Sequence, residues 1–447
     1  MKRLFGTDGI RGIAGESPLD RPTVRRFGAA VAAVLTRATG RTARVVLGRD
    51  TRESGPWLRD EVAAGLAVHG AEAVDAGIIT TPGLARATSK GRFDGGVMIS
   101  ASHNPFQDNG LKVFGADGTK LPDDLEKEIE DGILDPAAVA PPGGMVAVRE
   151  DGALLRDYVR FLEGAIPAGR LSGVGVLLDC ANGSAAGIAP EVFRFLGARV
   201  EVIGASPDGR NINLRCGSLH LEELLAATRE GGFDIGIAFD GDADRCLAVD
   251  RNGRTVDGDH ILYLGARALK REGRLRGDTV VSTVMSNLWL ELKLREEGIR
   301  LLRASVGDKY VYERMVAEDA ALGGEQSGHI IFRERAKTGD GILTGLLLLD
   351  FLRNEDRSLE EILDSLVPFP QVLVNVAVRE KPDLLRHPVI GPAISRVEAA
   401  LNGRGRVLLR YSGTEPLARV MVEGADEARV RRDAEELAEV IRRELGV

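Results

Sequence analysis

The sequence predicts an α/β protein assembled from several units of similar design, and three observations carry that reading. The chain has 447 residues, 44% of them hydrophobic, enough for about three or four domains of ordinary size. Its 55 glycines fall repeatedly just after short β-branched runs, as they do where strands alternate with helices. One pattern also recurs, a buried strand followed by a small polar turn, near Ser102, Asn182, Ser286 and Ser412. Ligands of open α/β sheets sit at the carboxyl ends of strands. Several such ends facing one cleft would make a single large site.

Taken in order, Arg44 to Arg49 reads as a strand, followed by a helical pattern from Pro56 to His69. Val97 to Ser100 is the next strong strand, and Pro136 to Gly144 has the composition of an interdomain connector. A second unit begins near Asp151. It has strands at Val174 to Asp179, Arg199 to Ile203, Phe233 to Phe239 and Cys246 to Asp250, and a helix at Ile188 to Leu196. A third begins near Asp257, with a helix from Ile261 to Arg271 and a strand from Thr279 to Thr283. Pro368-Phe-Pro370 marks another break. Strands at Gln371 to Val378, Val407 to Tyr411 and Arg419 to Glu423 and an amphipathic helix from Asp426 to Leu445 then close the chain. The expected divisions are 1–150, 151–255, 256–366 and 367–447: three α/β units and a smaller α+β one.

Aromatic residues make up only 4% of the chain, so the core is expected to be Leu, Val, Ile and Ala. A net charge of −8 with scattered basic residues points to no nucleic acid or membrane partner. Cys180, Cys216 and Cys246 form no Cys-x-x-Cys pair and read as reduced thiols. The N-terminus lacks the apolar stretch of a signal peptide. The longest apolar run, near Leu343 to Leu352, is too short to span a bilayer. The expectation is a soluble, cytoplasmic protein.

Asp240-Gly-Asp-Ala-Asp-Arg245 is the sharpest chemical signal. Aspartates at i, i+2 and i+4 project to one side of an extended chain, and flanking strands make the stretch the tip of a hairpin-like turn. Three like charges so close repel unless a cation sits among them. Hard oxygen ligands select Mg²⁺ or a similar ion. An EF-hand is excluded, because its sixth position is Arg245 in place of Gly and its twelfth is Arg251 in place of Glu.

Arg410-Tyr-Ser-Gly-Thr-Glu-Pro416, with Arg419 just beyond, packs hydroxyls, a glycine amide and two guanidiniums around one turn, either a phosphate grip or an ordinary Ser-Gly-Thr turn. Gly323-Gly-Glu-Gln-Ser-Gly-His329 alternates Glu325 and Ser327 as a pair suited to sugar hydroxyls, or is a plain Gly-rich loop. Gly307-Asp-Lys309 supplies a further charged turn. No Walker loop and no Gly-x-Ser-x-Gly elbow occur, which argues against an ATP kinase and an α/β-hydrolase. Ser102, in Ser100-Ala-Ser-His-Asn-Pro105 after an apolar strand, reads as nucleophile, helix cap or turn residue. With the carboxylate, sugar and phosphate turns alongside, these parts fit phosphoryl transfer on a sugar with Ser102 as the carrier.

Five stretches in order, Phe5-Gly-Thr-Asp-Gly-Ile-Arg-Gly12, Ser100-Ala-Ser-His-Asn-Pro105, Asp240-Gly-Asp-Ala-Asp-Arg245, Gly324-Glu-Gln-Ser-Gly-His329 and Arg410-Tyr-Ser-Gly-Thr-Glu-Pro416, resemble the α-D-phosphohexomutase superfamily over essentially the whole chain. The resemblance implies a four-domain, heart-shaped α/β fold whose central cleft is lined by one loop per domain. It implies a phosphorylated Ser102 and one Mg²⁺ on Ser102, Asp240, Asp242 and Asp244. Glu325, Ser327, Gly307 and Asp308 would hold the sugar, and Arg410, Ser412, Gly413, Thr414 and Arg419 the phosphate that is not reacting. Arg11, His103, Lys112 and Arg245 would surround the reacting phosphate, with Lys112 or His103 handling the proton; His103 reads equally as a turn histidine.

Gln326, where relatives acting on mannose or glucose phosphates usually carry Met, leans toward the amino-sugar branch, as do the N-terminal motif and Val306-Gly-Asp-Lys309. The implied isomerase interconverts glucosamine 6-phosphate and glucosamine 1-phosphate through a 1,6-bisphosphate, which also serves as activator, and feeds UDP-N-acetylglucosamine and cell-wall precursor synthesis. It works as a monomer or homodimer. Lys309 and Phe106 stand where arginine and tyrosine are commoner. The rivals are a phosphomannomutase or phosphoglucomutase, a Mg²⁺-dependent sugar phosphatase and a non-catalytic sensor.

Overall fold

A computed structural model describes residues 4–6, 8–135, 148–412 and 416–447. The expected connector from Pro136 to Gly144 lies outside the described residues, as do Thr7, Gly413 and Thr414. The chain forms two compact units, residues 1–283 with 302–360 and residues 284–301 with 361–447.

Among the described residues the first sheet has seven strands, ordered Phe5–Gly6, Gly9–Ile13, Asp108–Gly115, Gly95–Ile99, Arg44–Arg49, Glu72–Ile78 and Arg149–Glu150. Arg44–Arg49 runs parallel to both neighbours, whereas Gly95–Ile99 and Asp108–Gly115 pair antiparallel with Ile99 opposite Leu111. Strand side chains alternate faces. Val45, Leu47, Val97 and Ile99 accordingly join one core with residues of helices Arg21–Thr39 and Gly55–Ala67. Val46 and Met98 join another with Leu84 and Ala85 of helix Thr81–Lys90. The central strands are buried on both faces, so Val45 to Leu47 and Val97 to Ile99 read as continuous apolar runs.

The second sheet is ordered Thr255–Val256, Cys246–Asp250, Ile235–Phe239, Gly175–Asp179 and Arg199–Ile203. Ile235–Phe239 and Cys246–Asp250 form an antiparallel hairpin that closes on the pair Phe239 and Cys246, leaving Asp240 to Arg245 as its tip. The third sheet contains Arg300–Ala304, Thr279–Thr283, Leu322–Gly324 and Ile330–Phe332. The apolar run near Leu343 to Leu352 is helix Gly341–Leu352, buried nearly all round. Among the described residues no helix is long and apolar enough to cross a membrane, and all three cysteines are free and buried.

Element types follow the sequence reading closely, with shifted ends. The strand expected at Val97 to Ser100 starts two glycines earlier, at Gly95, and stops at Ile99. The helix expected from Ile188 is Ala189–Phe195, entered through a 3-10 turn at Ser184–Gly187.

The second unit is an antiparallel sheet of Gln371–Ala377, Leu417–Gly424 and Gly405–Tyr411, with helices Ile390–Leu401 and Glu427–Leu445 over the core. Helix Leu288–Glu296 belongs here too. The fully buried Glu423 takes the Leu288 amide at 2.6 Å and Arg406 Nε at 2.6 Å. The rest of that guanidinium holds the carbonyls of Val284 and Ser286 at 2.9 and 2.6 Å.

Helix Gly341–Leu352 begins against the hairpin tip. The Gly341 amide donates to Ala243 O at 2.9 Å, and a Cβ at Gly341 would lie 2.2 Å from Arg245 O and 3.0 Å from Ala243 O. Both obstacles are backbone, which does not swing aside. Gly341→Ala is expected to lower stability by about 1–3 kcal/mol through overpacking; urea unfolding checks this, and an unchanged midpoint would contradict the contact.

Candidate active site

Ser102 follows the end of strand Gly95–Ile99 and is 1% exposed. Its φ of +54° lies in the left-handed region that costs a non-glycine residue roughly 1–2 kcal/mol, so the turn is held. The Ser102 amide donates to Ser100 Oγ at 2.9 Å, and Ser100 donates to Asp50 Oδ2 at 2.6 Å. Asp50 and Arg52 form a wholly buried ion pair at 2.9 Å. Ser102 Oγ donates to Asp240 Oδ2 at 2.6 Å and lies 3.3 Å from His103 Nδ1.

Asp240, Asp242 and Asp244 are all buried, with one oxygen of each within 4.8 Å of the others. The tip is fixed locally: Asp240 O takes the Ala243 amide at 3.0 Å, and Asp240 Oδ1 the Arg245 amide at 3.2 Å. It is also braced from outside. Thr81 donates its amide to Asp242 O at 2.9 Å and its hydroxyl to Asp242 Oδ2 at 2.6 Å, while Ser184 N donates to Gly241 O at 2.9 Å. Burial, then Asp244 and Asp242, push the Asp240 carboxyl well up. Burial would also raise Asp244, but His329 and Lys112 outweigh it and hold that carboxylate low.

Among the described residues, Asp242 Oδ1 and Asp244 Oδ1 are buried without a hydrogen-bond partner. Orphaned carboxylate oxygens inside a three-carboxylate cluster are what a hard divalent cation satisfies, so the donor set fits Mg²⁺. Arg11 Nε and Arg245 Nε are buried donors without an acceptor among the described residues. Donors of that kind suit an anion.

Cations balance the tip. Lys112 Nζ, 1% exposed, lies 2.8 Å from Asp242 Oδ2, 2.9 Å from Asp8 Oδ2 and 3.8 Å from Asp244 Oδ2. Burial opposes its charge, but Asp242 and Asp8 push its pKa far up. Asp8 also pairs with Arg11 and takes Lys120 Nζ at 2.5 Å, and Lys120 reaches Asp308 at 2.7 Å. Arg245 Nε is 4.0 Å from Asp244 Oδ1. His103 goes the other way: burial, then Arg245 and Arg11, bring it down to about 4.

His329 Nδ1 is 3.6 Å from Asp244 Oδ2, and its Nε2 is 3.7 Å from Asp308 Oδ2. Burial disfavours its charge, yet Asp244, Asp308 and Glu325 raise it to about 9. The Gly339 amide pulls the opposite way by donating to Nε2 at 2.8 Å, since a nitrogen bearing hydrogen cannot accept. That directional bond places the proton on Nδ1, facing Asp244.

Glu325 Oε1 takes the Gly307 amide at 3.1 Å, joining two of the sugar-type turns. Ser327 is half-buried on the same loop, which is tied to the hairpin by the Cys246 amide on Gly328 O at 3.0 Å. Gln326 Nε2 donates to Asp257 Oδ2 at 3.2 Å. Lys309 turns toward helix Asp123–Leu134, donating to Leu121 O at 3.0 Å and pairing with Asp123.

In the second unit Arg410 and Arg419 face each other across adjacent strands. Burial and then Arg419 lower the Arg410 pKa, a like-charge pair that an anion would relieve. Ser412 O accepts Lys381 Nζ at 2.8 Å.

The sequence reading overlooked Asp8, Asp50, Arg52, Thr81, Lys120 and the role of His329. Asp8 and His329 stood inside quoted motifs, and Arg49-Asp-Thr-Arg52 is a charged turn at a strand end. Lys120 and Thr81 carry no local signal.

Four family models match in order: the phosphoglucomutase/phosphomannomutase alpha/beta/alpha domains I, II and III at residues 2–138, 156–253 and 257–369, and the C-terminal domain at 373–440. The chain is 54% identical to the phosphoglucosamine mutase of Solibacter usitatus, over 100% of this chain and 99% of that one. It is 49% identical to that of Leifsonia xyli over the full length of both. Among solved structures it resembles a phosphoglucomutase/phosphomannomutase family protein from Burkholderia thailandensis, with TM-score 0.81, 25% identity and 99% of each chain covered. Aspergillus fumigatus N-acetylphosphoglucosamine mutase, crystallised with GlcNAc-6P and magnesium, shares the fold at TM-score 0.68 and 18% identity, over 99% of this chain and 96% of that one.

Thr81→Val removes one hydroxyl from Asp242 and keeps the shape. The expected cost is about 1–3 kcal/mol in metal-free protein, the usual loss for a hydrogen bond to a charged group; chemical denaturation in chelator checks it, and no change would mean the hydroxyl is idle.

Proposed function

The chain belongs to the phosphoglucosamine mutase family, and on that premise we propose that it interconverts glucosamine 6-phosphate and glucosamine 1-phosphate by way of a phosphoserine at Ser102. The observation that carries the reading is Ser102 Oγ at 2.6 Å from Asp240 Oδ2, on a carboxylate triad whose spare oxygens are buried without partners. Relatives named phosphoglucosamine mutase match the whole chain, and a protein of the same fold was crystallised with GlcNAc-6P and magnesium. The four divisions 1–150, 151–255, 256–366 and 367–447 are part of the same reading.

Asp240, Asp242 and Asp244, with the oxygen of Ser102, would hold Mg²⁺, which supplies neutralising charge to the transferred phosphoryl group. The chain's own groups do the rest. Phosphoserine 102 gives its phosphoryl to O1 of glucosamine 6-phosphate: the phosphorus–Oγ bond breaks, a phosphorus–O1 bond forms, and the O1 proton passes to the freed Oγ. The resulting 1,6-bisphosphate turns end for end, and its 6-phosphoryl returns to Ser102: the phosphorus–O6 bond breaks, the phosphorus–Oγ bond re-forms, and the Oγ proton goes to O6. His103 Nδ1, 3.3 Å from Oγ, is within proton-transfer reach. Lys112, enclosed by Asp242 and Asp8, serves as fixed positive charge.

Arg11 and Arg245 take the reacting phosphate. Glu325, Ser327, Gly307 and Asp308 take the sugar, Asp308 from beneath its bond to Lys120. Arg410, Ser412, Gly413, Thr414 and Arg419 take the second phosphate. A hexosamine 1,6-bisphosphate would prime an empty Ser102. The expected setting is a cytoplasmic monomer or homodimer with no nucleic-acid or membrane partner.

Ser102→Ala should reduce turnover by at least about 10³-fold, as loss of a covalent carrier does, while sugar-phosphate binding persists in calorimetry; near-normal turnover would refute the carrier role. Chelation should abolish activity, with Mg²⁺ restoring it. A higher kcat/KM for glucosamine 1-phosphate than for glucose 1-phosphate is expected, and the reverse order would move the chain to the glucose branch. Inorganic phosphate release matching sugar turnover would indicate a phosphatase.

A further inference from the structure

Two carbonyls of the phosphoserine turn are each gripped twice. Ser102 O accepts Arg52 Nη2 at 3.0 Å and Asn213 Nδ2 at 2.9 Å. Asn104 O accepts the same two nitrogens, both at 2.9 Å. Arg52 Nη1 holds Asp108 O at 2.9 Å and also Pro105 O, while Nε holds Asp50. All the N–H directions of one fully buried guanidinium are thereby used, four of the five contacts going to the backbone of residues 102–108.

Asn213 comes from the loop after strand Arg199–Ile203, at one edge of the second sheet. Its φ of +58° turns it inward, and its amide donates to Ala181 O at 2.8 Å. The hairpin tip closes on the same spot, since a Cβ at Gly241 would lie 2.6 Å from Ser102 O and 3.0 Å from Asn213 Nδ2.

Neither Arg52 nor Asn213 bonds to the aspartate triad, so their chemistry is spent on the turn itself. The hydroxyl bond from Ser102 to Asp240 exists only while Oγ carries hydrogen. Once Oγ is esterified that tether is gone, and the left-handed turn must be held from the backbone side.

We propose that Arg52 and Asn213 are positioning residues for phosphoryl transfer, fixing the Ser102 peptide against the hairpin tip in both the phosphorylated and the free half-cycle. This rests on Ser102 as the phosphoryl carrier. The groups come from different sheets, so the clamp sets the register between the serine turn and the carboxylate tip.

Asn213→Gly is the cleanest test, because glycine tolerates the backbone angle and only the amide is lost. Displacement of a reacting group costs rate, so kcat should fall about tenfold or more with KM within about twofold and an unchanged circular dichroism spectrum. Arg52→Lys, which keeps a charge for Asp50 but cannot span four carbonyls, should show the same split. The rate at which glucosamine 1,6-bisphosphate phosphorylates Ser102, followed by intact mass, should drop in parallel. Unchanged kcat in Asn213→Gly, or losses that only track the folded fraction, would overturn the clamp. Ser102→Ala run alongside separates the two ideas: an inactive Ser102→Ala beside a fully active Asn213→Gly removes the clamp alone, whereas an active Ser102→Ala removes the carrier beneath it.

Discussion

Three carboxylates sit buried on a hairpin tip only six residues long, within 4.8 Å of one another. Charges so placed cannot be left to water, and the protein meets them with fixed groups. Lys112 and His329 stand beside Asp242 and Asp244, Thr81 and Ser184 hold the tip's backbone, and two antiparallel five-residue strands set its entry and exit. What remains unsatisfied is specific, one oxygen each on Asp242 and Asp244. Those two oxygens and the Ser102 hydroxyl lie in one cluster, a donor set of the kind a hard cation takes.

The polar groups around the triad form a continuous chain. From Asp242 the chain of contacts runs through Lys112, Asp8, Lys120 and Asp308 to His329 and back to Asp244. Asp8 and both lysines belong to the first sheet's segment, the triad to the second's and Asp308 and His329 to the third's. Buried ion pairs of this sort add little net stability. The alternating signs from Asp242 through Lys112, Asp8 and Lys120 to Asp308 do fix which loop meets which, so the sugar-type turn and the metal-type tip are aligned electrostatically as well as by packing.

Much of this was legible from sequence where the signal is local. The Asp-x-Asp-x-Asp tip, the polar break after Ile99 and the Gly-rich sugar loop each announce themselves within six or so residues. Strand and helix types were legible for the same reason, since buried strands of a two-faced sheet are plain apolar runs. The supporting groups were not. Thr81 meets Asp242 across 161 residues and Lys112 meets it across 130, and no local pattern distinguishes Lys120 from a surface lysine. Lys309 shows the converse, a charged residue in a recognisable turn whose side chain leaves for Leu121 and Asp123 while the neighbouring Gly307 amide does the linking to Glu325.

The C-terminal unit is not one continuous stretch of chain. Glu423 is buried against the Leu288 amide, and Arg406 binds the carbonyls of Val284 and Ser286. Swapping residues 367–447 for those of a relative would import a new Glu423 and Arg406 yet leave the old helix in place. Chimeras cut at that boundary should tolerate divergence poorly at these few positions, whereas grafts that also carry 284–301 keep the acid and its amide together. For this molecule the unit of inheritance is two separated stretches of chain.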